Sequence, residues 1–284
     1  MSTLTAAPAA LRIAPAPART TFEFAVVVPT FNESGNVVEL FTRLTAALAG
    51  RDAEVIVVDD STDDTPAVVR AASADLPFPV TLIHRDEAAG GLGGAVVEGL
   101  RSARAPWAVV MDADLQHPPA LVPDLVDAAA ADTQVVVATR YAEGGDGSGL
   151  GSFYRHFVSR ASKSLAGALL RGPVSRMSDP LSGFFAVRTA SLDLDAVDPI
   201  GYKILLELVV RSGLTQVAEV GFTFGTRHAG ESKSTVREGL RFFKHLAVLR
   251  TSTARPRRIA RAGSAPALQV PGAPAAVLVA APAA

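Results

Sequence analysis

Short runs of β-branched and other apolar residues alternate along this chain with stretches of helical spacing, and this alternation limits its fold more than any other feature of the sequence. The runs predict five strands, over residues 24–28, 54–58, 80–84, 107–111 and 134–138. The intervening stretches predict four helices, over residues 35–49, 64–74, 92–104 and 119–131. Because uniformly apolar strands are buried on both faces, the pattern predicts an α/β fold with a mostly parallel sheet and helices on both faces.

Composition leaves room for a sizeable core and excludes some chemistry. Hydrophobic residues make up 49% of the 284 residues and charged residues 19%, so the chain is expected to fold. There is no cysteine, which excludes thiolate catalysis, cysteine-ligated zinc and disulfides. Residues 1–132 carry 8 basic and 18 acidic side chains, whereas residues 133–284 carry 19 and 10. An acidic half suits a cation and a basic half suits phosphates or a membrane surface; chance in an alanine-rich sequence is the alternative.

The two ends of the chain differ from the alternating region. Residues 1–20 and 263–284 are rich in alanine and proline and lack the periodicity needed to pack, so a disordered leader and a disordered tail are predicted. The α/β domain is expected to occupy residues 21–234, and a basic amphipathic helix residues 235–262. Neither end holds the roughly 20 apolar residues of a membrane span, and the N-terminus lacks the pattern of a signal peptide.

Polar clusters follow the first two predicted strands, at the edge of a parallel sheet where ligands bind. The first is Pro29-Thr30-Phe31-Asn32-Glu33, in which the ring of Phe31 and the acceptor pair of Glu33 suit a nucleobase. A turn followed by a helix start is the alternative. The second cluster, residues 59–64, offers carboxylates to ribose hydroxyls or base N–H groups. We expect Asp59 or Asp60 to face the ligand and the later residues to cap the next helix.

The strongest cluster follows the fourth predicted strand and reads Asp112-Ala113-Asp114-Leu115-Gln116-His117-Pro118-Pro119. Two carboxylates two positions apart project to one side of an extended segment, and they repel each other unless a cation lies between them. A hard divalent ion, Mg²⁺ or Mn²⁺, suits these ligands, with the amide oxygen of Gln116 as a further ligand. His117 is interpreted as a loop residue, and a solvated turn is the alternative for the cluster.

A run of four glycines around one leucine, residues 90–94, resembles a phosphate-binding loop only in composition. It lacks the Gly-Lys-Ser/Thr ending of a P-loop, and in a dinucleotide fingerprint Val96 would replace the third glycine. We interpret the run as a tight turn that begins the helix over 92–104.

Together the three strand-end clusters resemble those of the family-2 glycosyltransferases of GT-A fold, and among them the polyprenyl-phosphate (dolichyl-phosphate) mannosyltransferases. Phe31 replaces the usual tyrosine of the first motif and Thr62 the serine of the second, whereas residues 112–119 match the third motif fully. The resemblance extends over residues 23–250. Its further motifs are Thr139-Arg140-Tyr141, Arg155 with Ser159-Arg160, Ser182-Gly183-Phe184 and residues 227–233.

The resemblance implies a role for residues in each motif. The nucleotide pocket would be lined by Pro29, Phe31, Glu33, Val58 and Asp60. The metal and the donor diphosphate would be held by Asp112, Ala113, Asp114 and Gln116. The diphosphate and sugar would be surrounded by Arg140, Arg227 and Lys233, and the lipid phosphate would be held by Arg155 and Ser159. The expected catalytic residues are Asp114, Arg227 and Lys233.

The implied reaction is a metal-dependent transfer of a hexose, expected to be mannose from GDP-mannose, to a polyprenyl (dolichyl) phosphate. The cation and the basic side chains would neutralise charge on the leaving diphosphate. The acceptor phosphate is already anionic, so no general base is required, and an in-line attack would invert the anomeric centre. UDP-glucose as donor is the alternative within this class. A non-catalytic protein that binds a sugar nucleotide or a lipid phosphate is the alternative outside it.

A lipid acceptor requires contact with a bilayer. Residues 234–261 hold eight basic side chains and one acidic, interleaved with apolar residues. This pattern is typical of an amphipathic helix at an anionic membrane surface; the alternative is a helix whose apolar side packs on the sheet. We expect a peripheral protein at the cytoplasmic face of the membrane that acts alone or with a separate membrane subunit. No nucleic-acid partner is expected.

Overall fold

Strand order shows how the alternating sequence is assembled. The computed structural model describes residues 22–141, 173–199, 203–223, 225, 246 and 249. In this part of the chain one sheet is formed by seven strands, β1 (Phe24–Thr30), β2 (Ala53–Asp59), β3 (Val80–His84), β4 (Trp107–Val110), β5 (Val135–Thr139), β6 (Phe185–Arg188) and β7 (Val217–Gly221). Their order is β3-β2-β1-β4-β6-β5-β7, and β6 runs antiparallel to β4 and β5. The predicted mostly parallel sheet is confirmed.

Four of the described helices connect parallel strands as the sequence predicts, and two further helices, after β5 and after β6, were not predicted. The described helices are α1 (Ser34–Ala47), α2 (Thr65–Ala72), α3 (Gly91–Ser102), α4 (Val122–Asp127), α5 (Pro173–Arg176) and α6 (Ile204–Arg211). The predicted helix over 119–131 begins with a 3₁₀ turn at Pro119–Leu121 and ends at Asp127. Proline lacks the backbone N–H that an α-helix needs after its first turn, and Pro123 lies within the first turn of α4.

Side chains alternate between the two faces of the sheet, and helices cover both. On one face Phe24, Val26 and Val28 of β1 belong to the same buried cluster as residues of α1 and α2. On the other face Ala25 and Val27 join the cluster that contains α3 and α6. Helix α3 lies very close to β1 because Gly99 has no side chain: a Cβ there would stand 2.3 Å from Val27 Cγ1.

The chain returns to this second face near its C-terminus. Leu246 and Leu249 are helical and buried, in the cluster that contains α3 and α6. The remainder of the predicted helix over 235–262 lies outside the described residues, as do the predicted leader 1–20 and tail 263–284. Within the described ranges, no helix combines the length and the hydropathy that crossing a bilayer would require.

Three neighbouring parallel strands bring the sequence clusters to one edge of the sheet. Strand β1 pairs with β2 on one side and with β4 on the other, all in the same direction. Their carboxyl ends therefore lie side by side, and residues 29–33, 59–64 and 112–119 emerge there. The fold thus brings the three strand-end clusters together at one edge of the sheet.

Candidate active site

A buried carboxylate joins the ends of the first two strands. Asp59 is fully buried, and its Oδ1 accepts hydrogen bonds from the hydroxyls of Thr30 (2.7 Å) and Ser61 (2.5 Å). Its Oδ2 lies 2.7 Å from Nδ1 of His84 and accepts a longer bond from the Ser61 N–H. These four contacts, from three residues, engage both carboxylate oxygens, so Asp59 supports the edge of the sheet and Asp60 remains the candidate of the two to face a ligand.

The turn after β1 is tied to the turn after β2. Asn32 has a left-handed backbone (φ 54°), which the short polar side chain of asparagine tolerates. Its N–H donates to the Ser61 hydroxyl at 2.7 Å, and its Oδ1 accepts the N–H of Thr62 at 2.9 Å. The Glu33 carboxylate accepts a bond from the Asn36 amide at 2.6 Å. The side chain of Phe31 is left 47% exposed beside this turn, as a stacking face requires.

Asp60 is held by an arginine that sequence reasoning missed. Arg85 donates from Nε and from a terminal nitrogen to the two carboxylate oxygens of Asp60, at 2.6 and 2.5 Å. Each carboxylate oxygen can accept a second hydrogen bond, so Asp60 retains capacity for a nucleotide hydroxyl or N–H. Arg85 follows directly after β3, and that position at a strand end was the available signal.

Two further residues of the clusters have supporting positions. Val58 is fully buried, and a Cβ on Gly99 would stand 3.2 Å from its side chain, so Val58 can meet a nucleotide only through its main chain. The N-cap residue of α2 is Asp64, whose side chain makes no capping hydrogen bond; the Oδ1 of the preceding Asp63 instead accepts both the N–H (3.0 Å) and the hydroxyl (2.5 Å) of Thr65. Partial burial opposes the charged form of Asp63, but the hydrogen bonds to its carboxylate, those from Thr65 first and then that from Ser34, together outweigh it and lower the pKa of the carboxyl.

The Asp-Ala-Asp segment forms a turn rather than the extended segment expected from the sequence. Strand β4 ends at Val110, and Ala113 and Asp114 lie in the turn that follows. The cause is local: Leu115 has a left-handed backbone (φ 65°), and the Asp114 Oδ1 accepts the Gln116 N–H at 3.1 Å. The Asp112 side chain is 40% exposed, whereas Asp114 is only 6% exposed.

His117 supports this turn from inside the protein. Its Nδ1 accepts the backbone N–H of Asp112 at 3.0 Å, which makes Nε2 the protonated nitrogen of the neutral ring. The ring stacks on Phe184 with centroids 5.0 Å apart and meets the edge of Phe222. Desolvation is the main reason that the pKa of His117 falls to about 4; positive charge on Arg140 and Lys203 adds to this, and Asp114 opposes it.

The donor atoms at the turn fit a hard divalent cation. The available ligands are carboxylate oxygens of Asp112 and Asp114 and the amide oxygen of Gln116, which suit Mg²⁺ or Mn²⁺. His117 does not belong to this set, because its Nδ1 is engaged by Asp112. Over the described ranges no three His, Asp or Glu side chains converge as a metal site. A cation here would complete its coordination with the Gln116 oxygen and with oxygens of water or of a bound ligand.

Arg140 stands at the end of β5, paired with an acid from the segment before β6. Its guanidinium donates to both oxygens of Asp179, at 2.8 and 3.1 Å, and lies over the ring of Tyr141. Arg140 is thereby fixed in orientation at the same edge of the sheet. Sequence reasoning missed Asp179, which belongs to no motif and meets Arg140 only through the fold. The other predicted site residues, Arg155, Ser159, Arg227 and Lys233, lie outside the described residues.

The sheet order and the position of the Asp-Ala-Asp turn define a GT-A glycosyltransferase fold. Glucosyl-3-phosphoglycerate synthase from Mycobacterium tuberculosis, solved in complex with Mn²⁺, UDP and glucosyl-3-phosphoglycerate, shares this fold with a TM-score of 0.58. That likeness has 24% sequence identity and covers 80% of this chain and 78% of that chain. The complex of the same enzyme with Mn²⁺, UDP-glucose and phosphoglyceric acid gives a TM-score of 0.57.

The sequence assigns the family within this fold. The model of glycosyl transferase family 2 matches residues 25–189, and the chain belongs to that family. It is similar to dolichol-phosphate mannosyltransferase of Pyrococcus furiosus, with 37% identity over 221 residues that cover 78% of this chain and 62% of that protein. The enzyme of the same name from Saccharomyces cerevisiae is 34% identical over 79% of this chain and 85% of its own length. The chain thus spans less than two thirds of the archaeal relative.

The buried neutral His117 predicts a specific loss of stability in acid. Its pKa is 6.5 in an unfolded chain and about 4 in the fold, so between these values only the unfolded state takes up the proton. Stability is therefore present above pH 6.5 and falls as the pH drops toward 4, by about 3 kcal/mol in total. Urea unfolding of metal-free protein between pH 7 and pH 4 measures this loss.

The His117→Asn variant is the control, because asparagine can accept the Asp112 N–H but does not titrate. Its free energy of unfolding should fall less steeply over the same pH range. Equal slopes for the two proteins would contradict the assignment of a neutral buried imidazole.

Proposed function

We propose that this protein transfers mannose from GDP-mannose to a polyprenyl (dolichyl) phosphate in a reaction that depends on a divalent cation. The observation that carries the proposal is the turn of Asp112, Ala113 and Asp114 at the carboxyl edge of the sheet. It occurs in a chain that is 34–37% identical to three proteins named dolichol-phosphate mannosyltransferase. Mn²⁺ in the structurally similar synthase supports the need for a cation.

The donor nucleotide would bind along the ends of β1 and β2. The exposed ring of Phe31 offers a stacking surface for the base, and the fixed carboxylate of Asp60 offers acceptors to hydroxyl or N–H groups. The Glu33 carboxylate, oriented by Asn36, is a further acceptor at this turn. Phe31 lacks the hydroxyl of the family's usual tyrosine, so at most one hydrogen bond to the nucleotide is lost.

The diphosphate would lie over the turn that follows β4. Asp112, Asp114 and Gln116 would hold Mg²⁺ or Mn²⁺, which acts as a Lewis acid toward phosphate oxygens when bound. The bond from the Gln116 N–H orients the Asp114 carboxylate, and the bond from the Asp112 N–H to His117 fixes the backbone of Asp112. Arg140, with Arg227 and Lys233 from the matched motif, would supply fixed positive charge to the leaving group.

The acceptor requires positioning rather than deprotonation. A polyprenyl phosphate is anionic at neutral pH, so its oxygen can attack the anomeric carbon without a general base. As that bond forms, the bond from the anomeric carbon to the diphosphate breaks, and GDP leaves on the opposite side. The α-linked sugar of the donor then becomes a β-linked product. Arg155 and Ser159 would hold the phosphate of the lipid.

Transfer of labelled sugar into an organic extract tests this function. With polyprenyl phosphate and Mg²⁺ or Mn²⁺, label from GDP-mannose should enter the lipid phase as a β-linked product, and EDTA should abolish transfer. Asp114→Asn should lower the rate by on the order of 100-fold or more, because it removes a charged metal ligand. Asp124→Asn, which changes an exposed aspartate of α4, should retain full activity. Label transferred only from UDP-glucose, or an α-linked product, would contradict the proposal.

We further propose that the protein binds peripherally to the cytoplasmic face of a membrane through the basic residues of 235–262. Burial of Leu246 and Leu249 in the core uses part of the apolar side of this segment, which leaves electrostatic attraction as the stronger contribution. A separate membrane subunit could share this surface. Attraction of each Lys or Arg to an anionic bilayer contributes about 1 kcal/mol.

Co-sedimentation with vesicles of phosphatidylserine and phosphatidylcholine measures this attraction. The triple variant Arg237→Gln, Arg241→Gln and Lys244→Gln should bind on the order of 100-fold more weakly at low salt. The control triple variant Arg43→Gln, Arg70→Gln and Arg101→Gln removes the same charge from the first half of the chain and should bind normally. Equal loss in both variants, or loss in neither, would refute the proposed surface.

A further inference from the structure

One short segment links the predicted metal ligand to the predicted diphosphate arginine. Residues 179–183, called here the bridging turn, follow α5 and precede β6. At one end Asp179 binds the guanidinium of Arg140. At the other end Gly183 lies against the metal turn: a Cβ there would stand 3.5 Å from Asp112 Oδ2 and 3.3 Å from the ring of His117. A shift of the bridging turn would therefore disturb both sides of the donor site.

The bridging turn is fixed at two places between these ends. The Ser182 hydroxyl donates to the carbonyl of Ala138 in β5 at 2.8 Å, which anchors the turn to the sheet. The Leu181 carbonyl accepts a hydrogen bond from Nζ of Lys203 at 3.1 Å. The sequence alone does not identify Lys203. The residue lies outside the matched motifs, directly before α6, and only the fold brings it to Leu181, 22 positions away.

The backbone of Lys203 is held next to a buried helix, and its ammonium group lies among charged side chains. The residue directly precedes α6, in which every side chain from Ile204 to Val209 is buried. Its ammonium is desolvated, which with the charge of Arg140 lowers the pKa of Lys203 to about 8, while the carboxylates of Asp179 and Asp112 oppose this shift. Both acids that the bridging turn brings together thus act on this one ammonium group.

We infer that Lys203 is a positioning residue of the donor site, which holds the bridging turn against Asp112 through its bond to the Leu181 carbonyl. The inference rests on the proposed function, since it assigns Lys203 to the same cation and diphosphate site. Loss of the bond would let the turn and the Asp112 side chain move. Cation affinity would fall, even though removal of a nearby positive charge would by itself strengthen cation binding.

Titration of Mn²⁺ into the full chain, followed by the electron paramagnetic resonance signal of the free ion, tests this inference. Lys203→Met should weaken Mn²⁺ binding on the order of 10-fold, as is usual when support of a metal ligand is lost. Its KM for the donor should rise more than kcat falls, and KM for the lipid should stay unchanged. Lys203→Arg, which keeps the charge and a donor to the carbonyl, should restore both values to within about threefold of the wild type.

A matched control removes a cation from the same region without touching the bridging turn. Arg176 is exposed on α5, three residues before Asp179, and Arg176→Met should bind Mn²⁺ normally. Unchanged or tighter Mn²⁺ binding by Lys203→Met, or a defect in Lys203→Arg as large as in Lys203→Met, would overturn the inference. Thermal denaturation checks folding, and Lys203→Gln takes the place of the methionine variant if that variant does not fold. The Mn²⁺ titration contains no sugar nucleotide or lipid, so its result does not depend on which sugar nucleotide and which lipid are the substrates.

Discussion

Negative charge gathered at the carboxyl edge of the sheet is the constraint on which the rest of the site depends. The carboxylates of four aspartates at this edge contact hydrogen-bonding or charged groups. Asp59 meets hydroxyls and His84, Asp60 meets Arg85, Asp179 meets Arg140, and Asp114 accepts a backbone N–H. Burial makes an unbalanced carboxylate costly, so each partner is needed for folding as well as for orientation. Asp112 differs, since its side chain is 40% exposed beside the turn. A cation at Asp112 and Asp114 would complete this balance of charge.

Support and function are divided among neighbouring residues of the same motif. Asp59 joins two strand ends while the adjacent Asp60 keeps acceptor capacity for a ligand. Likewise His117 holds the backbone of Asp112 from within the core, and the carboxylates of the turn remain for a cation. Each of these motifs therefore contains both a residue that supports the turn and a residue that is available to bind a ligand. The supporting residue sits on the buried side, where parallel strands and their helices have already excluded water.

The sequence allowed prediction of five parallel strands, the four helices that follow the first four of them in the chain and the three clusters at the sheet edge, because each depends on local periodicity. It did not reveal β6 or β7: the antiparallel direction of β6 is set by its pairing with β4 and β5, and the apolar run of β7 is interrupted by a glutamate and ends in a glycine. Arg85, Asp179 and Lys203 were also missed, because their partners lie 22 to 39 positions away. His117 lies in a loop, as predicted, but its burial was not predicted, because the aromatic rings around it come from Phe184 and Phe222, distant in sequence.

The central claim is that Asp112 and Asp114 hold a divalent cation against the donor diphosphate. Anomalous diffraction from crystals grown with Mn²⁺ and GDP-mannose measures this directly, because the signal locates manganese independently of any assumed ligand. The account predicts one strong peak about 2 Å from carboxylate oxygens of this pair and in contact with the diphosphate. A bound donor with no manganese peak at the turn, or a peak at another acid of the sheet edge, would contradict it.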